Sequence, residues 1–494
     1  MQSNTYSKNL VIVVLSAAAS ALSFNFPSFS FLIWFSLAPY FVVQSRSRLK
    51  EGLFYSFIFG YVFFGVMIFW VGHVTVLGLV FLLGYLALYQ VLFFLLGRFF
   101  SGRPFRLIAL PCLWVAMELL KESIWCGFSW GNLGYSQYTN LYLVQPVDLF
   151  GVKFISFLIV AANVLIGDFF SAKKNLARKT VIFSFIMAAC VAYSLFKINT
   201  LKIADTIDLS VVQPDVAESE KRSDVKKSDI LAGLKELSAK TDKDSLAIFP
   251  EAAWPALVHD EELRLIEDFS RNIGRDILMG AIGYRNNQFT NSSFLIAKCG
   301  CFRGEYQKIK LVPFGEYVPL RKVFSFIEVL NELGDMQRGS EDKIFSWKGK
   351  NFGVLICIED TPPVFAARFA AKSDFLVNIT NDEWFHGEPE ASQHLAIMAI
   401  RAMENRISIA RCANTGISGY ADFYGRVNKF NRNGKETFCR GAWSFKLPLN
   451  KGRSFFNRFP ELFSAACLLF LLIFSVIKIR YKSEKILPQR KTID

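Results

Sequence analysis

Histidine is scarce in this sequence, at four residues among 494, and the nine cysteines show no paired C-x-x-C spacing. A metal site rich in histidine is therefore not expected. Cys299 and Cys301 are separated by one residue, a spacing that suits neither a zinc site nor an easy mutual disulfide. The sequence also lacks a nucleotide, flavin or metal motif, so we expect chemistry that needs no cofactor.

Charged residues make up only 20% of the chain, whereas 52% of residues are hydrophobic and the mean hydropathy is +0.30. This balance is high for a soluble enzyme and predicts membrane spans. Several candidate spans are shorter than the ~20 residues a helix needs to cross a bilayer, so their ends are approximate. We expect about eight spans: Leu10–Phe24, Phe29–Val43, Leu53–Val71, Val76–Leu96, Leu107–Leu120, Val147–Phe169, Thr180–Phe196 and Leu462–Ile479.

Lysine and arginine are absent from alternate loops, around Asn25–Pro27 and Gly72–His73. The other loops and the C-terminal tail hold 16 of the 56 basic residues. This positive-inside pattern places both termini in the cytoplasm and the segment between spans seven and eight outside it. Part of the net charge of +14 is thus explained by membrane topology and does not indicate that the protein binds nucleic acid. The basic residues concerned are Arg46, Arg48, Lys50, Arg98, Arg103, Arg106, Lys173, Lys174, Arg178, Lys179, Lys478, Arg480, Lys482, Lys485, Arg490 and Lys491.

Three features of the membrane half leave alternatives open. Ala19–Ala21 fits a signal-peptide cleavage site, although a signal anchor agrees better with the loop charges. The aromatic loop of residues 121–141 fits an interfacial aromatic belt or an entry for lipid. Glu118, Asp148 and Lys153 lie within or near spans, where charges usually pair or face a cavity. A structural pair between Asp148 and Lys153 is as compatible with the sequence as a functional one.

From residue 201 to residue 450 short β-rich runs alternate with charged helical segments, a pattern typical of an α/β domain. The predicted strands are Ile207–Val212, Leu246–Phe249, Ile277–Ile282, Ser293–Ala297, Phe352–Ile358, Phe375–Ile379 and Ile407–Arg411. The predicted helices are Glu218–Lys240, Asp260–Asn272, Pro363–Ala371 and Ala391–Arg406. The chain thus divides into a bundle of seven spans (1–200), an α/β domain (201–450), and a final span with a basic tail (451–494).

One apolar run in this domain ends in a nucleophile. The run Phe352–Ile358 contains Cys357 and is followed by acidic residues and two prolines. This pattern predicts a buried strand that presents a thiol at a sharp strand-to-helix turn. Such a thiol can form a covalent intermediate if a neighbour takes its proton, although many free cysteines are simply buried.

Two further charged residues lie at predicted strand ends, where α/β domains assemble sites. Glu251 follows Leu246–Phe249, and Lys308 precedes an apolar run that leads to Glu316. A carboxylate can take the thiol proton, and an ammonium can stabilise the oxyanion of a tetrahedral intermediate. Taken singly, each of these residues also fits a surface or core role.

A Cys–His pair is the rival arrangement. His259, His386 and His394 lie in the same domain, and the pKa of imidazole suits a base near neutral pH. Spacing alone does not decide between these histidines and Glu251.

The motifs around these residues resemble the nitrilase superfamily, whose domains carry a Glu–Lys–Cys triad in an αββα sandwich. The stretches concerned, within residues 206–448, are Phe249–Pro255, Lys308–Pro319, Ile356–Glu359, Asn378–Phe385, Arg401–Arg406 and Arg411–Ser418. With Gly127–Gln137 in the membrane half and the domain placed before the last span, the chain resembles the apolipoprotein N-acyltransferase family, which performs the last step of bacterial lipoprotein maturation.

The resemblance implies roles for five residues. Glu251 would be the general base, Lys308 the oxyanion-stabilising cation and Cys357 the nucleophile. Glu316 would hold Lys308 as a second acid, and Glu359 would support the turn after the nucleophile.

The chain departs from the family pattern in two places. Ile358 stands where the family often has an aromatic residue, and Lys221-Arg222 lie where some members carry a tryptophan that covers the site. These changes concern the covering loops and the lipid contacts and leave the triad in place.

The resemblance implies ping-pong acyl transfer from a phospholipid to the N-terminal amine of a diacylglyceryl-cysteine apolipoprotein. We expect a monomer in the bacterial inner membrane, with the catalytic domain on the periplasmic side. A membrane-tethered amidase or nitrile hydrolase could use the same triad on a small substrate. A transporter or receptor would instead carry charges along several spans, which only Glu118, Asp148 and Lys153 approach.

Overall fold

A computed structural model describes residues 2–100, 105–125, 127–171, 175–221, 224–285, 287–322, 335–385 and 388–486. Several residues singled out in the sequence lie outside these ranges, namely Arg103, Lys173, Lys174, Arg222, His386, Arg490 and Lys491. The described part consists of a helical first portion, an α/β domain and a closing helix.

The described residues of the helical portion form seven helices of nine or more residues. They are α1 (Gln2–Asn25), α2 (Ala38–Arg46), α3 (Leu49–Met67), α4 (Val76–Phe100), α5 (Arg106–Ser123), α6 (Val152–Phe170) and α7 (Leu176–Thr200). Helix α2 continues two short helical turns, Pro27–Leu32 and Ile33–Ser36, so the second predicted span is a broken helix. Further short turns cover Phe69–His73, Leu133–Gln137, Leu141–Val144 and Val147–Phe150.

Six of these segments are long and apolar enough to cross a membrane, which supports the expected helical membrane portion. They are Thr5–Asn25, Pro27–Arg46, Leu49–Met67, Val76–Phe100, Val152–Phe170 and Leu176–Thr200. The two other predicted spans also form helices, but α5 carries Arg106, Glu118, Lys121 and Glu122, and the apolar part of the last helix, Leu462–Ile477, is short. A total of eight spans therefore stays a prediction.

The described residues of the α/β domain form two six-stranded sheets. The first six strands along the chain are β1 (Asp205–Gln213), β2 (Leu246–Ile248), β3 (Ile277–Arg285), β4 (Gln288–Ile296), β5 (Phe302–Gln307) and β6 (Ile344–Trp347). The others are β7 (Lys350–Ile356), β8 (Phe375–Thr380), β9 (Ile409–Ala413), β10 (Gly419–Ala421), β11 (Val427–Lys429) and β12 (Gly441–Leu449). The first sheet has the strand order β12-β1-β2-β3-β4-β5, and the second has the order β11-β10-β9-β8-β7-β6.

Helices cover the outer faces of both sheets and complete an αββα sandwich, as expected. Helices α8 (Lys227–Ala239) and α9 (Asp260–Ile273) pack Leu234 and Ile266 on the first sheet. Helices α10 (Pro363–Ala370) and α11 (Glu388–Asn405) pack on the second sheet. The inner faces meet where the Cys412 thiol donates to the Ile248 carbonyl at 3.2 Å. The chain ends with the short helix Phe455–Arg458 and α12 (Leu462–Ile486).

All seven predicted strands are present, as β1–β4 and β7–β9. Within the predicted helix Glu218–Lys240, the described residues form the helix Glu218–Lys221, the 3₁₀ turn Asp224–Lys226 and α8. One expectation was wrong, since Cys299 and Cys301 form a disulfide. They lie in the tight turn between β4 and β5, where Gly300 has a φ of +79° and the two Cα atoms are 5.4 Å apart.

The α/β domain docks onto the helical portion through α11 and the residues that follow it. Gln393 accepts a hydrogen bond from Trp130 Nε1 at 2.8 Å, and Arg401 donates to the Tyr135 hydroxyl. Arg406 Nε donates to Asp148 Oδ2 at 2.9 Å. Aromatic residues of the 121–141 loop thus lie in the interface between the two parts.

The structural pair between Asp148 and Lys153, one of the two alternatives that the sequence left open, does not form. Asp148 pairs with Arg406, while Lys153 pairs with Glu122 at 2.7 Å and Glu461 at 2.9 Å. These partners lie far along the chain or in another helix, so no local sequence pattern indicated them. Asp148 and Lys153 are each paired with an opposite charge at a packed interface, which is not the pattern expected of a transport pathway.

Candidate active site

Cys357 stands at a sharp turn at the end of strand β7, next to the edge strand β6. Its φ is +54°, a left-handed conformation that non-glycine residues adopt rarely and mostly under structural constraint. It begins the short helical turn Cys357–Asp360, and its side chain is half-buried. The predicted strand to Ile358 thus ends two residues earlier, at Ile356, and the thiol projects from the turn.

Glu251 follows β2 and is held in a fixed orientation by amide groups. The backbone N–H of Asn381 donates to Glu251 Oε2 at 2.8 Å. The side-chain amide of Asn291 donates to Glu251 Oε1 at 2.6 Å. Because both carboxylate oxygens are hydrogen-bonded, this buried side chain is fixed in one position.

Lys308 directly follows β5, and its side chain is almost completely buried between two carboxylates. Its Nζ lies 3.2 Å from Glu251 Oε1 and 2.9 Å from Glu316 Oε1. Glu316 is itself fixed by the backbone N–H of Val312, which donates to Oε2 at 2.7 Å. The Asn291 amide also donates to Glu316 Oε1 at 2.8 Å, so one asparagine bridges the two acids.

The thiol of Cys357 belongs to the same electrostatic cluster. Burial raises the pKa of Cys357 well above its usual value, the negative charge of Glu251 raises it further, and Lys308 opposes both effects. Burial lowers the pKa of Lys308, but Glu251 and Glu316 outweigh this effect and raise it well above its usual value. At neutral pH the resting site therefore contains a protonated thiol beside a permanent cation.

Glu359 supports the turn that carries the thiol. Its carboxylate accepts hydrogen bonds from the backbone N–H groups of Ile356 (2.8 Å), Ile309 (2.7 Å) and Lys310 (2.9 Å). The Tyr306 hydroxyl donates to the same group at 2.8 Å. Burial raises the pKa of Glu359 to about 7, although the N–H groups of Ile356 and Lys310 oppose this effect. Glu359 thus joins the Cys357 turn to the segment after Lys308.

The two described histidines of the rival arrangement have other partners. His259 caps α9, where its Nδ1 accepts a hydrogen bond from the Glu262 N–H at 3.2 Å. Both ring nitrogens of His394 are engaged, one with Asp360 and one with Arg411, each at 2.9 Å. His386 lies outside the described residues. The geometry of the described residues therefore favours Glu251 as the group that takes the thiol proton.

A second buried cluster lies behind the site. Asp382, Glu390 and His394 bring one potential ligand atom each to within 4.8 Å of one another. The guanidinium of Arg411 occupies this cluster, because its Nη2 lies 2.9 Å from both Asp382 Oδ2 and His394 Nδ1. Arg411 therefore supplies the positive charge that balances these acids.

Sequence reasoning missed two residues that fix the acids of the site. Asn381 lay within a quoted motif, but its backbone N–H contact with Glu251 depends on where β8 ends. Asn291 lies on β4 just before the predicted strand Ser293–Ala297. The only sequence feature that could have indicated its role was its position as a polar residue just before that predicted strand.

Two family models match the chain. The model of the apolipoprotein N-acyltransferase N-terminal domain matches residues 16–165, and the carbon-nitrogen hydrolase model matches residues 209–440. An apolipoprotein N-acyltransferase of Methylococcus capsulatus is 30% identical over 82% of this chain and 84% of its own length. One of Geobacter metallireducens is 29% identical over 96% of both chains. Among solved structures, an amidase from Nesterenkonia sp. covers 50% of this chain and 93% of its own, with 16% identity and a TM-score of 0.39.

Proposed function

The chain belongs to the apolipoprotein N-acyltransferase family, and we propose that it moves a fatty acyl chain from a phospholipid to the N-terminal amine of a diacylglyceryl-cysteine apolipoprotein. The acyl chain passes through a thioester on Cys357. The observation that supports this route is the buried pair of Glu251 and Lys308 in the electrostatic cluster of a half-buried thiol. One chain carries all three groups, so a monomer suffices.

The first half-reaction forms the thioester. Glu251 takes the thiol proton as the sulfur of Cys357 attacks an ester carbonyl of the phospholipid. The Lys308 ammonium stabilises the negative oxygen of the tetrahedral intermediate. As the intermediate collapses, the ester C–O bond breaks, and the leaving oxygen takes the proton from Glu251. A lysophospholipid is released.

The second half-reaction forms the amide. The α-amine of the acceptor attacks the thioester carbonyl, and Glu251 accepts a proton from the attacking nitrogen. The C–S bond then breaks, the sulfur of Cys357 recovers its proton, and the N-acylated acceptor leaves. Glu316 and Glu359 act indirectly, since Glu316 holds the Lys308 ammonium and Glu359 holds the turn of Cys357.

The attachment of this domain to membrane helices suits lipid substrates. Transfer of an acyl chain into water costs about 0.8 kcal/mol per CH₂ group, so the site must lie near the bilayer surface. The amidase alternative is less supported, because the match to the N-terminal membrane domain model and the named relatives extend well beyond the hydrolase domain.

A chase experiment tests the proposed transfer. The purified protein is loaded with an acyl chain from phospholipid and then mixed with a synthetic diacylglyceryl-cysteine peptide. We expect the thioester to disappear as the N-acylated peptide appears. The matched control is the same peptide with an acetylated N-terminus, which should leave the thioester in place. Equal loss to water with both peptides would contradict transfer and favour a hydrolase.

The proposed location is the inner membrane, with the catalytic domain on the periplasmic side and both termini in the cytoplasm. The alternation of basic and non-basic loops supports this orientation. In intact cells, a membrane-impermeant maleimide should label Lys240→Cys, at the exposed end of α8, and should label Arg48→Cys only after lysis. The wild-type protein is labelled in parallel to measure the background from its own cysteines. Labelling of Arg48→Cys but not Lys240→Cys in intact cells would contradict the orientation.

A further inference from the structure

A second buried ammonium lies near the triad, on the short helix Glu218–Lys221 that follows β1. The Lys221 side chain is 6% exposed, and its Nζ lies 3.5 Å from Glu218 Oε2, a long distance for a hydrogen bond. Among the residues that the structure describes, this ammonium has no hydrogen-bond acceptor. Burial of a charge without hydrogen bonds is costly, so an unused buried donor indicates a ligand.

Lys221 is connected to the catalytic carboxylate through a short chain of contacts. Asn381 donates its backbone N–H to Glu251 and its side-chain amide to Glu218 Oε2, at 2.8 Å and 3.4 Å. Glu383 Oε2 accepts a hydrogen bond from the Glu218 N–H at 2.6 Å. Burial lowers the pKa of Lys221, against the opposing charges of Glu218, Glu383 and Glu251. The amine of Lys221 thus lies within the electrostatic field of the catalytic site.

The two cations of this region differ in their availability. Lys308 donates to both Glu251 and Glu316, which leaves one of its three N–H donors for the reacting carbonyl. Among the described residues, Lys221 has only the long contact with Glu218. The negative charge of Glu218 balances that of Lys221, but no hydrogen bond has to break before a ligand can bind.

We propose that Lys221 binds the phosphodiester of the acyl-donor phospholipid while the ester carbonyl lies at Cys357, an inference that rests on the proposed function. An unused N–H donor needs an anionic or carbonyl oxygen, and phosphate oxygens form the strong charge-assisted hydrogen bonds. The N-terminal amine of the acceptor substrate offers Lys221 no oxygen of this kind. In a glycerophospholipid a few covalent bonds separate the ester from the phosphate, so one site can hold both.

The test compares two acyl donors with the same palmitoyl chain. One is dipalmitoyl phosphatidylethanolamine, and the other is p-nitrophenyl palmitate, which has no phosphate. Rates of thioester formation are measured by intact mass for the wild type, Lys221→Met, Lys221→Arg and the control Lys226→Met. Lys226 lies five residues further along, is largely exposed and pairs with Glu220.

We expect Lys221→Met to form thioester at least about tenfold more slowly from the phospholipid at low donor concentration, a loss of one charge-assisted contact. Its rate with p-nitrophenyl palmitate should stay within about twofold of the wild type, Lys221→Arg should recover part of the loss, and Lys226→Met should match the wild type. An equal loss with both donors would show action through Glu251 or through folding and would overturn the inference. An unchanged rate with the phospholipid would also overturn it. Failure of the wild type to react with the phospholipid would instead count against the proposed function.

Discussion

Replacement of Cys357 by alanine is expected to abolish acyl transfer while the protein remains folded and inserted in the membrane. The sulfur is the only protein atom that bonds covalently to the acyl chain in the proposed mechanism, so we expect a loss of about 10⁴-fold or more. Cys357→Ser should also be inactive, because a hydroxyl is a much weaker nucleophile here than a thiol. Transfer is measured as N-acylation of a diacylglyceryl-cysteine peptide in the presence of phospholipid.

The matched control for this substitution is Cys412→Ala. Cys412 is a fully buried thiol on β9 that packs between the two sheets and lies outside the triad. Its loss should lower thermal stability slightly but leave a substantial part of the activity. Normal transfer by a properly inserted Cys357→Ala protein would refute the assignment of the nucleophile.

Replacement of Lys308 by alanine is expected to reduce thioester formation by about 10²–10³-fold, as for the loss of one oxyanion donor in other acyl-transfer enzymes. Two effects act in the same direction. The tetrahedral oxyanion loses its cation, and the thiol loses the positive charge that opposes the rise of its pKa. The measurement is the amount of palmitoyl-enzyme trapped from phospholipid in a single turnover.

Lys308→Ala also leaves Glu251 and Glu316 without their shared cation. Removal of one partner from a buried pair costs about 3–5 kcal/mol, so the melting temperature must be measured beside the activity. Lys308→Met keeps most of the buried stem and separates packing from charge. Lys310→Ala is the control, since Lys310 is exposed and only two residues away. Wild-type amounts of trapped thioester in folded Lys308→Ala would rule out the oxyanion role.

Much of the α/β domain was predictable because several of its inner strands are mostly apolar. β7, β8 and β9 are buried on both faces of the sheet, so their own residues are enough to predict strands without knowledge of the strands beside them. β5 was missed because Phe302–Gln307 contains charged and glycine residues. It is a strand because β4 pairs with it in a hairpin, and that same hairpin turn brings Cys299 and Cys301 together.

The positions of Glu251, Lys308 and Cys357 at strand ends were predictable from the sequence, but the hydrogen bonds that hold the charged groups in place were not. Asn291 reaches Glu251 from β4 across the site, and Asn381 reaches it from the end of β8, 130 residues along the chain. The same holds for the interface with the membrane helices. Arg406 contacts Asp148, which lies 258 residues away in the sequence, and no local sequence pattern predicts such a contact.

The most direct measurement is the intact mass of the purified protein after exposure to phospholipid, for the wild type and for Cys357→Ala. The account predicts that the wild type gains the mass of one long fatty acyl chain, that hydroxylamine removes it, and that the alanine variant gains nothing. The account would be contradicted if no adduct formed on the wild type, if the adduct were a small acyl group, or if the alanine variant gained the same mass.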